Sequence, residues 1–124
     1  MRDFALFVGW GRTYPGREPF ALKQFAEWEE ILTRAKAEGE IEKFETVLLG
    51  PHGGELDGFT LVFGEPEKIF AFQMREDILA LQTRSMLNFA KFSVIPAIRG
   101  GGIQKQFSLY KEALAEYERE PALV

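Results

Sequence analysis

The sequence predicts an α+β fold in which helices cover one face of an antiparallel sheet. Apolar residues alternate in four short segments and recur every three or four residues in the longer ones. Glycine or proline separates most of these segments. At 124 residues the chain has the length of one domain, so we expect residues 1–124 to form a single domain.

The chain begins with a strand and a long helix. Residues 4–10 alternate with the two-residue period of a strand, and a loop with a Pro15-Gly16 turn follows. From Phe20 to Ala35 the apolar residues recur at helical spacing with charged residues between them. Gly39 ends this pattern, which predicts an amphipathic helix of about five turns.

A hairpin follows the first helix. Residues 41–49 and 59–63 have the composition of strands, and the loop 50–54 between them is rich in glycine. Pro66 lies at the first position of the next predicted helix, where proline is tolerated, and acidic residues flank it. We expect the next helix to run over 66–74 and to resume over 77–87.

The chain closes with a strand and a helix. Residues 92–98 form the fourth predicted strand, and Pro96 within it indicates an edge or a strand end. After three glycines, large apolar residues step by four, three, four and three positions along a closing amphipathic helix. These residues are Ile103, Phe107, Tyr110, Leu114 and Tyr117. The order βαββαβ is the split βαβ, or ferredoxin-like, pattern with an added C-terminal helix.

The predicted sheet is apolar on both faces. We expect one face to carry Phe4, Leu6, Val8, Phe59, Leu61 and Phe63, and the other Phe7, Val62 and Val94. Because helices cover only one face, an open apolar area of roughly 300 Å² or more remains. A second copy of the chain, related by a two-fold axis, is the simplest partner for that face.

The element order, the long first helix, the Gly-rich hairpin and the segment Gly58–Ile69 resemble those of the dimeric α/β-barrel superfamily. This superfamily includes cofactor-independent quinol monooxygenases, muconolactone isomerases, YCII-related and EthD-like proteins, and haem-handling members. The resemblance implies that two sheets pack face to face into a barrel, with a ligand pocket between sheet and helices in each subunit. No catalytic motif of a named subgroup matches this sequence residue by residue.

Composition excludes several kinds of chemistry. The absence of cysteine rules out thiolate metal sites, disulfides and cysteine nucleophiles, and one histidine rules out multi-histidine sites within one chain. We therefore expect neither a metal nor a cofactor. A net charge of −4 gives the chain no electrostatic reason to bind nucleic acid, and no apolar run is long enough for a membrane span. We expect a cytoplasmic protein.

The RNA-recognition motif is an alternative because it shares the βαββαβ order. Residues 6–9 and 58–63 resemble its two strand signatures. However, Asp57 stands where that motif needs a basic residue, and Leu61 replaces a stacking aromatic. RNA binding therefore remains a remote alternative.

His52 is the only imidazole and the one weak candidate for a catalytic group. An imidazole can act as a general base in an enzyme. A solvated turn histidine is the simpler interpretation, because the sequence shows no carboxylate partner for it. Gly100–Gly102 lacks the residues that a phosphate-binding loop requires, and we interpret it as a turn.

A ligand cleft is predicted at the end of the first strand. Trp10 ends that strand beside a glycine-containing loop, where a cleft between sheet and helix would open. The ligand-binding residues that we predict are Trp10, Arg12, Tyr14, Trp28, Gln73 and Arg99. Trp28 also lies on the inward stripe of the first helix, so core packing is its default role.

Two hypotheses of function follow. In the first, each subunit of a homodimer binds a small hydrophobic or aromatic molecule, or turns it over without a cofactor as a monooxygenase or isomerase does. In the second, the protein is a structural or interaction module with an occluded interior. The size of the cavity near Trp10 discriminates between them.

Overall fold

The computed structural model describes residues 3–119, which form four strands and four helices. In chain order the elements are β1 (Phe4–Trp10), α1 (Glu18–Ala37), β2 (Lys43–Leu48), β3 (Gly58–Phe63), α2 (Pro66–Gln73), α3 (Glu76–Asn88), β4 (Ser93–Ile98) and α4 (Gly101–Arg119). The predicted α+β class and the βαββαβ order with an added C-terminal helix are confirmed.

The four strands form one antiparallel sheet in the order β2-β3-β1-β4. β1 lies at the centre, where Leu6 faces Val62 of β3 and Pro96 of β4. Pro96 is therefore on an edge strand, as predicted, where its missing N–H costs the sheet least. The sheet is open, since β2 and β4 are its edges, and closure into a barrel needs a second sheet.

The register corrects the predicted assignment of side chains to the two faces. Leu6 lies opposite Val62, and Phe7 lies opposite Leu61. Because side chains alternate along a strand, Phe59, Leu61 and Phe63 share the open face with Phe7 and not the helix face. The prediction for β3 was wrong because both faces of that strand are apolar, so alternation alone could not decide which face points inward. Val94, predicted on the face of Phe7, pairs with Val8 and shares the helix face instead.

The hydrophobic core lies between the sheet and helices α1, α2 and α3. Leu32, Val62, Ile69 and Phe72 are within 1% of complete burial. Trp28 packs against Phe72 with their ring centroids 6.3 Å apart. This core explains the periodicity of α1, whose buried residues recur every three or four positions.

A backbone motif at Gly39 ends α1. Gly39 has φ of +76°, a conformation that favours glycine. The N–H of Gly39 donates to the carbonyl of Lys36, and the N–H of Glu40 donates to the carbonyl of Ala35. This pair of hydrogen bonds is the Schellman arrangement, which turns the chain towards β2.

The second predicted helix is split where an arginine links three parts of the chain. Arg75, in extended conformation, separates α2 from α3. Its guanidinium donates to Glu40 at 2.7 Å and to Asp77 at 2.6 and 3.0 Å. The hydrogen bond from Arg75 is the largest cause of the lowered pKa of Asp77. Desolvation by burial acts in the opposite direction on this pKa and is the smaller effect. The cluster ties the start of α3 to the loop after α1.

We expect the substitution Asp77→Asn to lower the free energy of unfolding at pH 7 by no more than about 1 kcal/mol, because the Asp77 side chain is 48% exposed and water screens the pair. The native state lowers the pKa of Asp77, so this stabilisation is complete above the ordinary pKa of about 3.9 and is lost as the pH falls through the lower folded pKa. Urea unfolding at pH 7 and pH 2 measures both effects. If the difference in free energy of unfolding between wild type and Asp77→Asn increased towards pH 2, the lowered pKa assigned to Asp77 would be contradicted.

Helix α4 differs from the other helices because it has no buried residue between Gly101 and Arg119. The Gly101 N–H donates to the carboxylate of Asp3 at 3.0 Å, which fixes the start of α4 beside the start of β1. Within residues 3–119, none of the helices is long and apolar enough to cross a membrane.

Candidate functional site

An open cleft of about 580 Å³ lies at the end of the sheet where β1 ends and the β2–β3 hairpin turns. Trp10 and Phe25 line its apolar side, and residues 48–54 of the hairpin form the opposite wall. Arg12, His52 and Asp57 contribute its charged or titratable groups. Its volume lies within the range of small-molecule sites.

Trp10 is held in place by aromatic packing and by a glycine on the next strand. Its ring meets Phe25 edge-on, with centroids 5.2 Å apart at an interplanar angle of 63°, and Phe89 packs behind it at 6.5 Å. A Cβ on Gly58, opposite Trp10 in the sheet, would lie 2.8 Å from Cζ2 of the indole. Glycine at position 58 therefore leaves the space that the indole occupies.

Backbone hydrogen bonds extend the cleft beyond the sheet. The Gly11 N–H donates to the carbonyl of Ala90 at 2.8 Å, and the Ala90 N–H donates to the carbonyl of Arg12 at 2.8 Å. A Cβ on Gly11 would lie 2.6 Å from the carbonyl oxygens of both Ala90 and Glu55. Glycine is required at position 11, because three chain segments meet there and fix Arg12 at the cleft.

The His52 ring is anchored within its own loop. Its Nδ1 lies 2.8 Å from the carbonyl oxygen of Gly50. A carbonyl oxygen only accepts hydrogen bonds, so Nδ1 carries the proton, and in the neutral ring Nε2 keeps its lone pair. A Cβ on Gly54 would lie 2.7 Å from Nε2, so this glycine gives the ring room. In this tautomer Nε2 can accept a hydrogen bond or a proton from a bound molecule.

The structure brings together some of the residues that we predicted at the ligand site and separates others. Trp10, Arg12 and His52 line the same cleft. Tyr14 is 43% exposed in the following loop and does not line the cleft. Gln73 is half-buried at the end of α2, outside the cleft lining.

Arg99 lies at the opposite end of the sheet. It follows Ile98, which pairs with Phe4 at the start of β1, whereas Trp10 ends β1. Six residues of strand correspond to about 20 Å. The Arg99 guanidinium lies over the Phe63 ring, 5.4 Å from its centroid. Within one subunit Arg99 and Trp10 therefore do not share a site.

Trp28 belongs to the interior and not to the cleft. It is 8% exposed, and its indole N–H donates to the hydroxyl of Thr60 at 3.2 Å. The Thr60 hydroxyl lies 2.9 Å from that of Thr46 on the edge strand. A void of only about 30 Å³ remains between sheet and helices, lined by Trp28, Trp10 and their neighbours. In this conformation the interior is too small for an organic ligand.

A buried polar cluster between α1 and α3 was not predicted from the sequence. Asn88 donates to the Gln24 side chain at 2.6 Å, Gln24 donates to Ser85, and Arg17 donates to Asn88 at 3.0 Å. Every buried side-chain nitrogen or oxygen of the described residues has a hydrogen-bond partner. The available signal was Gln24 on the inward stripe between Ala21 and Trp28, where an apolar residue is usual.

The cleft also contains residues that the sequence analysis did not select, notably Leu48, Leu49 and Asp57. The Leu49 N–H donates to the carbonyl of Asp57 at 2.9 Å, which closes the hairpin and places both residues beside Trp10. Two consecutive leucines at the end of the second predicted strand were the sequence signal that could have indicated this side of the cleft. The structure shows that both are exposed. Among residues 3–119, no group of three or more histidine, aspartate or glutamate side chains could hold a metal ion.

No protein-family model matches the chain, and no curated protein matches it by sequence. Solved structures match its fold. A DABB family protein with a ferredoxin-like fold from Mesorhizobium loti has a TM-score of 0.60 at 14% identity, over 81% of this chain and 100% of that chain. A dimeric protein of unknown function and ferredoxin-like fold from Bacteroides fragilis has a TM-score of 0.55 at 10% identity, over 79% of this chain and 98% of that chain.

SnoaB, a cofactor-independent oxygenase from Streptomyces nogalater, also matches the fold, with a TM-score of 0.54 at 12% identity. The match covers 80% of this chain and 95% of that chain. At these identities the matches show the fold alone. They confirm the predicted resemblance to dimeric ferredoxin-like proteins at the level of architecture.

Proposed function

We propose that the protein is a homodimer in which each subunit binds a small hydrophobic or aromatic molecule at the Trp10–His52 cleft, without a cofactor. The observation that carries this proposal is the cleft of about 580 Å³ with an aromatic side and a fixed imidazole. Its combination of apolar surface with a few polar groups is typical of small-molecule sites. The similarity in fold to a cofactor-independent oxygenase agrees with a site that works without a cofactor.

The lining of the cleft defines the ligand further. Trp10 is 5% exposed and Phe25 is half-buried, so the small apolar surface that they present to the cleft favours the edge or face of a flat ring. Arg12 and Asp57 carry opposite charges, so the cleft does not select a strongly charged molecule. The Nε2 atom of His52 is an acceptor for a hydroxyl group. A hydroxylated aromatic compound fits all three features.

Turnover of such a molecule, in a monooxygenase- or isomerase-like reaction, would begin with removal of a proton. We assign this role to His52 rather than to Asp57, the carboxylate of the same cleft, because the contact of its Nδ1 with the Gly50 carbonyl leaves the Nε2 lone pair as the acceptor. Arg12, on the same cleft, can stabilise the negative charge that remains on the ligand.

The homodimer is proposed to form through the open face of the sheet. Phe7 and Phe59 stack on that face with centroids 5.4 Å apart, and Leu61 lies opposite Phe7. Lys43 and Arg99 both lie over the Phe63 ring, so the apolar centre has a partly charged rim. An apolar centre with a polar rim is the usual anatomy of a protein interface. Structural neighbours are described as dimeric, which agrees with this proposal.

Calorimetric titration with 1-naphthol tests the ligand site. We expect a dissociation constant of about 100 µM for a compound of this size, and weaker binding of cyclohexanol. His52→Ala should weaken 1-naphthol binding by about 3- to 10-fold through loss of one hydrogen bond.

Gly50→Leu adds a side chain at a residue that lines the cleft, where a Cβ meets no atom within 4 Å, and should weaken 1-naphthol binding by narrowing the cleft. Leu22→Ala, at an exposed position on α1, is the control and should bind as the wild type does. Unchanged affinity in Gly50→Leu would overturn the location of the site, and absence of heat with every aromatic alcohol tried would overturn the ligand class.

A structural or interaction module is the second candidate function. The closed interior, with a void of about 30 Å³, and the fully exposed helix α4 favour it. Native mass spectrometry separates the two, because a bound metabolite of a few hundred daltons supports the ligand site and counts against a purely structural role. RNA binding, the remote alternative, requires the same Phe7 and Phe59 face that the proposed dimer covers.

A further inference from the structure

Helix α4 exposes an apolar stripe that no other part of residues 3–119 buries. Leu109, 49% exposed, lies on another side of the helix, and the large apolar residues of the stripe are 41% to 74% exposed. They are Ile103, Phe107, Tyr110, Leu114 and Tyr117. At 100° per residue these five side chains fall within an arc of about 80°. Their spacing of four, three, four and three repeats every seven residues, as in the seam of a coiled coil.

Most of the stability of a helix in a protein comes from packing of its apolar face, and α4 buries none of its residues within the subunit. α4 is 19 residues, or about 28 Å, long. Gly102 is half-buried, and every other residue from 101 to 119 is exposed. The regular stripe therefore requires a partner outside its own subunit.

The chain has more exposed surface than a compact monomer of its size. It exposes 8772 Å², whereas a compact monomer of 14.1 kDa exposes roughly 6,700 Å². This excess agrees with a helix that projects from the subunit with all of its residues but Gly102 exposed.

We propose that α4 is a dimerisation arm whose stripe packs against a helix of a second copy of this chain. The four-three spacing of the stripe suits packing against another helix, and the position of α4 beside the open face of the sheet points to a second copy. α4 leaves the sheet beside β4 and β1, the two strands that contribute Ile95 and Phe7 to the open face. A second subunit seated on that face is therefore adjacent to the start of α4. This inference rests on the dimer of the proposed function and adds a contact that the sheet face does not supply.

Sedimentation equilibrium of the full chain tests the arm. Leu114→Glu places a carboxylate in the middle of the stripe and should weaken the dimer by at least 10-fold. Ala115→Glu is the matched control, because it adds the same charge one residue away on an exposed side of the helix, and it should leave the dimer unchanged. Both variants should melt as the wild-type subunit does, since Leu114 is exposed and α4 has no buried residue.

The outcomes separate the arm from the rest of the proposed function. Dimers that are disrupted by Leu61→Glu but unaffected by Leu114→Glu would overturn the arm and leave the sheet-face dimer in place. A wild-type chain that is monomeric at 100 µM would overturn both. Binding of 1-naphthol by Leu114→Glu at wild-type affinity is expected, because α4 starts at the end of the sheet opposite the cleft.

Discussion

Leu61→Glu is expected to convert the dimer into a monomer. Leu61 lies at the centre of the open face, between Phe7 of β1 and Glu45 of β2. In a two-fold dimer each substitution occurs twice, so two carboxylates without partners would be buried. Removing such charges from water costs several kcal/mol, which corresponds to a dimer at least 100-fold weaker.

Sedimentation at 10 µM should therefore give a species of 14.1 kDa for Leu61→Glu and one of twice that mass for the wild type. Thr33→Glu is the control, because Thr33 is exposed on α1, on the side of the sheet opposite the open face. A wild-type dimer that persists unchanged in Leu61→Glu would show that the open face is not the interface.

Phe72→Ala is expected to lower the free energy of unfolding by about 3–5 kcal/mol. Phe72 is 1% exposed, packs on Trp28, and lies beneath the guanidinium of Arg75 at 5.5 Å. Removal of the ring leaves a cavity beside the existing void between sheet and helices, which Phe72 also lines. A loss of this size is a large part of the 5–15 kcal/mol that stabilises a typical domain.

Phe70→Ala makes the same substitution two residues away on α2, where the side chain is 65% exposed. Phe70→Ala should lower the free energy of unfolding by less than about 0.5 kcal/mol. Urea unfolding of both variants measures the difference. Equal costs would contradict the inward orientation of Phe72 and with it the packing of α2 on the sheet.

Much of the fold could be predicted because local signals agreed with the tertiary structure. Gly39 ends α1 through a positive φ that glycine favours, and Pro66 starts α2 where its missing N–H costs nothing. The faces of β3 could not be assigned, because residues 58–63 are apolar on both sides. Only the pairing of Leu6 with Val62 decides which side meets the helices.

The candidate site could be predicted only in part, because it depends on which loops meet. The position of Trp10 at the end of a strand was sufficient to place it at a cleft. Arg99 was predicted at the same place, but antiparallel pairing of β4 with β1 puts it at the far end of the sheet. Asp57 and Leu49 enter the cleft through one hydrogen bond across the hairpin, which no local pattern in the sequence indicates.

Amide chemical-shift mapping with 1-naphthol tests the ligand site most directly, since it locates the bound molecule without any substitution. We predict saturable shifts of the Trp10 indole N–H and of the amides of residues 11–13, 49–50 and 52–54, with little change in α4. Shifts confined to the residues around Trp28 and Phe72 would place the ligand in the interior and contradict the cleft. No saturable shift at any residue would contradict a small-molecule site of this class altogether.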